Sequence, residues 1–371
     1  MLRCIIFLLL SIAISGCWDL REVDRLAFAT TIGIDRESKD TLRLTVQIPL
    51  TQSLLPPGFR GGGGENKQFS VASFTGLSVN SAFAKLETKS TRDLVISQNK
   101  SIIIGTAAAE SDMRTIVDYL VRDSQAPPQA SVMIAEGATA AEVLGLKLVT
   151  EILPGLEFVQ AAQSVEKYNW TYFIPIWEFH QKLIHETKDA FASLISLDRM
   201  EKRYVQAGLA AFNGDRLAGK LSPKEAQSFG IISNLMQSGH MDFELSSGDK
   251  VTLRNVKSKT RIKVKADSAR PQFLVQTKMK ASLSEWTGSG KEITQNDLQY
   301  LQKAVAHIAQ KDLRLVIKKL QSMNSDIIDF GEQLRIQHQE LWRKLDWKKV
   351  YPEVPFRVEV KVQIVSDGVM R

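Results

Sequence analysis

The sequence predicts an α+β protein of two to three domains, with mixed and antiparallel sheets packed against helices behind an N-terminal lipid anchor. Three observations carry this expectation. Strand-period alternation is clean at Leu42, Leu44, Val46 and Ile48 and again at Phe356, Val358, Val360, Val362 and Ile364. A helix-period apolar stripe runs through Leu298, Leu301, Val305, Ile308, Val316 and Leu320. The length, 371 residues, exceeds what one hydrophobic core usually organises.

The N-terminus comes first. Met1-Leu2-Arg3 supplies one positive charge, and Cys4 to Ile14 is an almost unbroken apolar run, the length of a signal-peptide core and too short to span a bilayer comfortably. It ends in Ile14-Ser15-Gly16-Cys17, an aliphatic residue, a small one, a Gly and a Cys, which is the lipobox pattern. Residues 1–16 are therefore expected to be a lipoprotein signal peptide and Cys17 the lipid-attachment site, an S-diacylglycerol and N-acyl cysteine. Residues 17–25 form a juxtamembrane segment. With Cys4 in the leader, Cys17 is the only cysteine of the mature chain, so no disulfide can form within it.

An N-terminal α+β domain is expected over residues 26–150. Leu26 to Asp35 and Thr41 to Leu50 read as two strands about a polar turn, the second with one wet face. Pro56-Pro57-Gly58 and Gly61 to Gly64 mark an exposed loop between Ser53 and Gln68. The pattern then alternates: strand Gln68 to Thr75, helix Ser78 to Thr88, strand Leu94 to Gly105, helix Ala109 to Arg122, strand Gln129 to Glu136 and helix Thr139 to Gly145. The run Ile102-Ile103-Ile104 suggests a strand covered on both faces, which together with the half-wet hairpin implies a mixed sheet.

Residues 151–203 show an amphipathic stretch, Ile176 to His185, and little else, and read as a connector or helical segment. Residues 204–245 make a hairpin-plus-helix unit. Val205 to Phe212 and Arg216 to Lys220 flank the turn Asn213-Gly214-Asp215, and Ser222-Pro223-Lys224-Glu225 offers an N-cap, a first-turn proline and a capping-box glutamate. Residues 246–371 form a C-terminal α+β domain. Strands run to about Trp286, Thr294-x-x-Asp297 opens the long helix, a second helix carries Leu334, Leu341 and Trp342, and Phe356 to Val365 is a final strand paired in the sheet. Arg261, Lys263 and Lys265 alternate with Ile262 and Val264 and read as a charged edge that discourages unwanted pairing.

Composition narrows the function. A hydrophobic fraction of 44% and a charged fraction of 24% are average for soluble globular proteins, against disorder or a multi-span membrane protein. The net charge of +7 reads as a mild excess spread along the chain, which suits an anionic membrane surface or a solvated face but lacks the focused stripe of a nucleic-acid binder. No nucleic-acid partner is expected.

Catalytic motifs are absent from the sequence. His180 and His185 are five residues apart, which turns them to different helix faces, unlike the four-residue spacing of a zinc helix. Gly288-Ser289-Gly290-Lys291 resembles the end of a phosphate-binding loop, but Glu285 stands where the first glycine belongs and Glu292 where Ser or Thr is needed. There is no Gly-x-Ser-x-Gly elbow, and no thiol remains once Cys17 carries lipid. No cofactor, metal or enzymatic activity is expected, although a buried pair of carboxylates is something only a structure reveals.

A set of short motifs in fixed order carries a family resemblance. Gly16-Cys17-Trp18-Asp19 is followed by Arg21-Glu22, Gly33-Ile34-Asp35, Ser97-Gln98, Ile102-Ile103-Ile104-Gly105 and Tyr119-Leu120-Val121-Arg122-Asp123. The second half carries Gly208 to Phe212, Gly214 to Gly219, Leu221, Asp329-Phe330-Gly331-Glu332, Trp342, Trp347 and the terminal valine-rich strand. In this order they closely resemble the Ger(x)C family, the C-subunit lipoproteins of spore germinant receptors. One departure is Ser124-Gln125-Ala126-Pro127-Pro128, where the family commonly continues with an acidic residue and an arginine.

The resemblance implies a non-enzymatic lipoprotein on the outer surface of the spore's inner membrane. It implies two integral-membrane partners, the A and B subunits, in a receptor that triggers germination on nutrient binding. Cys17 is the one functional residue it carries over. Direct small-molecule binding stays open. The alternative is an extracytoplasmic solute-binding lipoprotein of a transporter, but such proteins usually have two similar lobes around a cleft, and these halves are unlike.

Overall fold

The computed structural model describes residues 25–50, 69–123, 125–147, 158, 168–266, 270–288 and 293–365. The leader, Cys17 and the glycine-rich loop lie outside the described residues.

A nine-stranded mixed sheet organises the first part of the chain. Its members are β2 (Thr31–Ser38), β3 (Thr41–Pro49), β4 (Phe69–Gly76), β6 (Ser101–Gly105), β7 (Ser131–Glu136), β8 (Ile174–Pro175), β9 (Phe191–Asp198), β10 (Arg203–Asn213) and β11 (Arg216–Leu221). The order is β11-β10-β9-β7-β6-β2-β3-β4, with the short β8 also on β7. The centre, β9-β7-β6-β2, is parallel, and both wings are antiparallel hairpins. The isoleucine run behaves as expected. Ile102 and Ile104 enter the main core, while Ile103 enters a second apolar cluster on the opposite face with Met133, Val143 and Ile195.

Several elements differ from the sequence reading. The first strand is interrupted: β1 (Leu26–Phe28) leaves the sheet and pairs in parallel with β5 (Asp93–Val95). The helix expected from Ala109 to Arg122 is two, α2 (Thr106–Ala109) and α3 (Met113–Arg122), because Asp112 caps α3 by accepting from the Thr115 amide at 3.1 Å. The stretch read as a helical connector also contains β9, which sits between β7 and β10. Phe191-Ala192-Ser193-Leu194-Ile195 is buried throughout, so it lacks the wet-face alternation by which a strand announces itself. Helix α5 (Ile176–Ile184) precedes it as the amphipathic pattern suggests.

The remaining helices of this part cover the sheet: α1 (Val79–Lys89), α4 (Ala140–Gly145) and α6 (Pro223–Ile232). Each opens with a capping box, from Ser78, Thr139 and Ser222.

A four-stranded sheet organises the rest, in the order β12 (Met241–Glu244), β13 (Lys250–Lys265), β14 (Gln272–Trp286) and β15 (Phe356–Val365). The first three strands are antiparallel, whereas β15 returns parallel to β14. Helix α7 (Gln295–Ser322) supplies the crossover and packs Leu301, Val305, Leu313, Val316 and Leu320 against the inner face. Three short helices follow: α8 (Phe330–Gln337), α9 (Gln339–Trp342) and α10 (Trp347–Val350). One apolar core runs without interruption from Ile32 in the first sheet to Ile364 in the second.

Candidate functional site

The outer face of the second sheet concentrates the positive charge of the molecule. Side chains alternate along a strand, so Lys257, Lys259, Arg261, Lys263 and Lys265 of β13 share one exposed face while Val256, Thr260 and Val264 turn inward. Register extends the row. Lys257 stands opposite Lys280, Lys259 opposite Lys278, and Lys278 opposite Lys361 of β15, with Arg357 completing the set beside Leu274. Glu359 is the one carboxylate in these rows. It accepts from Gln276 Nε2 at 2.9 Å and lies 3.4 Å from Arg357. Nine cations against one anion give this face +8, more than the +7 net charge of the whole chain. The charge is therefore focused, not spread as composition suggested.

These residues do not guard an edge either. The free edge of β13 is covered by other groups: the Val256 amide donates to Gly239 O (3.0 Å), the Thr260 amide to Asn234 Oδ1 (2.6 Å) and the Val264 amide to Gln337 Oε1 (2.9 Å). The basic side chains stand on the open face. Between them lies a hollow of about 360 Å³, bordered by Lys259, Arg261, Lys263, Lys278, Glu359 and Lys361. Like charges placed opposite one another across strands repel, so this arrangement costs folding energy that a polyanionic neighbour would recover.

Beneath the inner face, a buried polar clasp joins the two sheets. Asp189, just before β9, accepts from the Gly214 amide (2.8 Å), the Asp326 amide (2.7 Å) and Lys348 Nζ (2.6 and 2.7 Å). Asp326 in turn accepts from the amides of Phe330 (2.9 Å) and Gly331 (2.7 Å) and from Trp347 Nε1 (3.0 Å). Both carboxylates are 1% exposed. Burial pushes Asp326 up to about 7, against the two amide hydrogen bonds, and the charges of Asp329 and Asp189 add to the rise. Phe330 stacks on Phe273 of β14 at 4.4 Å, and Trp347 lies 6.0 Å from the same ring. A carboxylate pair is thus present, but its oxygens are consumed by donors inside the core.

The motif residues of the sequence converge on such structural contacts. Asp35 accepts from the Ala140 and Ala141 amides (2.7 and 3.0 Å) at the start of α4, and a side chain at Gly105 would collide with its Oδ1. Of Asp329-Phe330-Gly331-Glu332, Asp329 meets Lys182 (3.4 Å), and Glu332 accepts from Thr187 Oγ1 (2.7 Å) and pairs with Arg335 (2.8 Å). Arg335 holds Glu332 down to about 2, with Thr187 and Lys188 contributing against burial. A Cβ at Gly331 would come within 2.6 Å of Trp347 Nε1 and 2.9 Å of Thr187 O, so the motif needs a glycine there.

Cys17, the one site residue expected from sequence, lies outside the described residues. His180 faces Asp118 of α3 at 3.5 Å, while His185 Nδ1 meets Thr187 Oγ1 at 2.8 Å, so the two histidines have separate neighbours. Among the described residues no group of three or more His, Cys, Asp or Glu could hold a metal. Residues 289–292 of the phosphate-loop-like segment are outside the description. Sequence reasoning missed Asp189, Asp326 and Lys348. Only tertiary structure brings them together, and the signal available was the order Asp326, Asp329-Phe330-Gly331-Glu332 and Trp347.

Comparison with known proteins gives consistent results. The family model described as spore germination protein N-terminal domain matches residues 19–197, and that described as spore germination B3/GerAC like, C-terminal, matches residues 207–368. Spore germination protein B3 of Bacillus subtilis (strain 168) is 23% identical over 367 residues, covering 96% of this chain and 95% of that protein. Spore germination protein GerQC of Bacillus cereus is 24% identical over 376 residues, covering 100% and 99%. The crystal structure of the GerBC protein superposes with a TM-score of 0.60 at 20% identity, covering 94% of this chain and 100% of that one, and shows the same fold.

Proposed function

The chain belongs to the spore germination B3/GerAC-like family, and from that membership we propose that it is the lipid-anchored, non-enzymatic C subunit of a spore germinant receptor. In this reading it works beside integral-membrane A and B subunits on the outer surface of the spore's inner membrane and takes part in nutrient-triggered germination. The observation that carries the proposal is the match of both family domains in order along one chain, 19–197 and then 207–368.

Physical features support it. Among the described residues no helix is long and apolar enough to cross a membrane, and the tether in this reading is Cys17 at the end of the lipobox. Acylation on two chains holds stably where one chain binds marginally, each buried methylene being worth about 0.8 kcal/mol. Confinement beside membrane partners then raises effective concentration, and avidity can grow by about a hundredfold or more without any new contact. The non-enzymatic reading draws on the buried carboxylates: Asp189 and Asp326 are each 1% exposed and bonded to backbone amides, the Trp347 indole and the partly exposed Lys348 ammonium.

The test is germination of spores carrying Cys17→Ala. The variant should be present, folded and displaced from the membrane fraction, with the nutrient response lost or weakened. Normal germination by a variant shown to carry no lipid contradicts the proposal.

A further inference from the structure

We infer that the outer face of β13, β14 and β15 is a bilayer-docking surface that lies against the headgroups of anionic lipids. The inference goes beyond the receptor-subunit reading and does not need the Cys17 tether.

Charge complementarity is the first ground. Eight of the nine cations, Arg357 being the exception, have no ion-pair partner among the described residues, and all nine are exposed. A bilayer surface rich in phosphodiesters would relieve the repulsion along Lys257–Lys280 and Lys259–Lys278–Lys361.

The kind of cation is the second. Seven of the nine are lysines, and the outer rows hold Leu274 and Val365 but no aromatic side chain. Lysine is depleted at protein–protein interfaces, where aromatic residues and arginine anchor the contact. It serves well as a hydrated, mobile point charge against many equivalent phosphates. An acidic protein partner would find neither an anchor pocket nor a set of arginine forks here.

Shape is the third. The face is an open sheet surface with a shallow hollow, and its backbone edge is already covered by Asn234, Gly239 and Gln337. Strand addition by a peptide along this edge is therefore blocked over Val256 to Val264. A broad layer of headgroups remains a good fit.

The experiment uses the mature chain, residues 17–371, with Cys17→Ala, so that every described element is kept and no acyl chain contributes. It should sediment with vesicles containing phosphatidylglycerol and stay free of vesicles of pure phosphatidylcholine, and binding should weaken as salt rises. Lys259→Glu/Lys278→Glu/Lys361→Glu should lower affinity for the anionic vesicles by about a hundredfold or more, with thermal stability unchanged or raised as the repulsion is removed. A control with the same charge change, Lys303→Glu/Lys311→Glu/Lys318→Glu, alters exposed lysines of α7, the helix that packs on the opposite side of the sheet. It should bind within a few-fold of the parent. Failure to bind anionic vesicles, equal binding to neutral ones, or equal weakening in both triple variants overturns the inference. An acidic protein that binds this face while anionic vesicles do not would overturn it as well.

Discussion

Asp326 shows how much of this molecule depends on single buried groups. Its side chain accepts three hydrogen bonds, from two amides and an indole, in a position that is 1% exposed. Replacing it by alanine strands three buried donors, and each unmet donor costs about 1–3 kcal/mol. We expect Asp326→Ala to lower the unfolding free energy by at least about 3 kcal/mol in urea titrations. The same residue gives stability a pH dependence. Because burial holds it near 7 in the folded chain, above its ordinary value of 3.8, the folded state binds this proton more tightly than the unfolded one. Its contribution is fully present below about pH 4 and is lost as pH rises through about 7. Wild type should lose stability across that window and Asp326→Asn should lack this component. Superimposable pH profiles for the two would show that Asp326 is not the group responsible.

At the scale of elements, the clearest case is α6. Ser222 accepts from the Glu225 amide, and Glu225 both bonds the Ser222 amide (2.7 Å) and receives Lys319 of α7 at 2.7 and 2.9 Å. Burial alone would raise the Glu225 carboxyl, but Lys319 and Ser222 together hold it below its usual value. Its stabilising effect is therefore present above the unfolded pKa and disappears as pH falls through the folded one. Ser222→Ala should cost about 1 kcal/mol in unfolding free energy, read by denaturant titration. No loss would mean that this cap contributes nothing.

Caps of this kind are local, which is why the starts of α6 and α7 and the whole of β15 could be read from the sequence. Strand β9 could not, because Phe191 to Ile195 is buried on both sides and carries no polar alternation. The break between α8 and α9 was equally hidden. It falls at His338, whose backbone is non-helical at φ −144° and ψ 65° while its ring nitrogen reaches Val264 O at 3.1 Å. That contact belongs to the tertiary structure.

At the scale of the whole molecule, the α+β class and mixed sheet were legible, but the surface was not. Five of the nine cations, Lys257, Lys259, Arg261, Lys263 and Lys265, alternate along one stretch of sequence, and the last three stand out there because Ile262 and Val264 separate them. Lys278, Lys280, Arg357 and Lys361 join them only through antiparallel pairing of β13 with β14 and parallel return of β15. The clasp is still less legible, since Asp189, Gly214, Asp326 and Lys348 are dispersed along the chain and meet only when the two sheets share one core. A tether at the N-terminus and a cationic face on the second sheet would together fix how the body stands on a membrane.

The tether is the element on which the proposed function depends most, and the intact mass of the mature chain recovered from spore membranes tests it directly. The expected product is a polypeptide that begins at Cys17 and carries a diacylglyceryl group on its sulfur and an acyl group on its amine. A free thiol at Cys17, or a chain that retains residues 1–16, would contradict it.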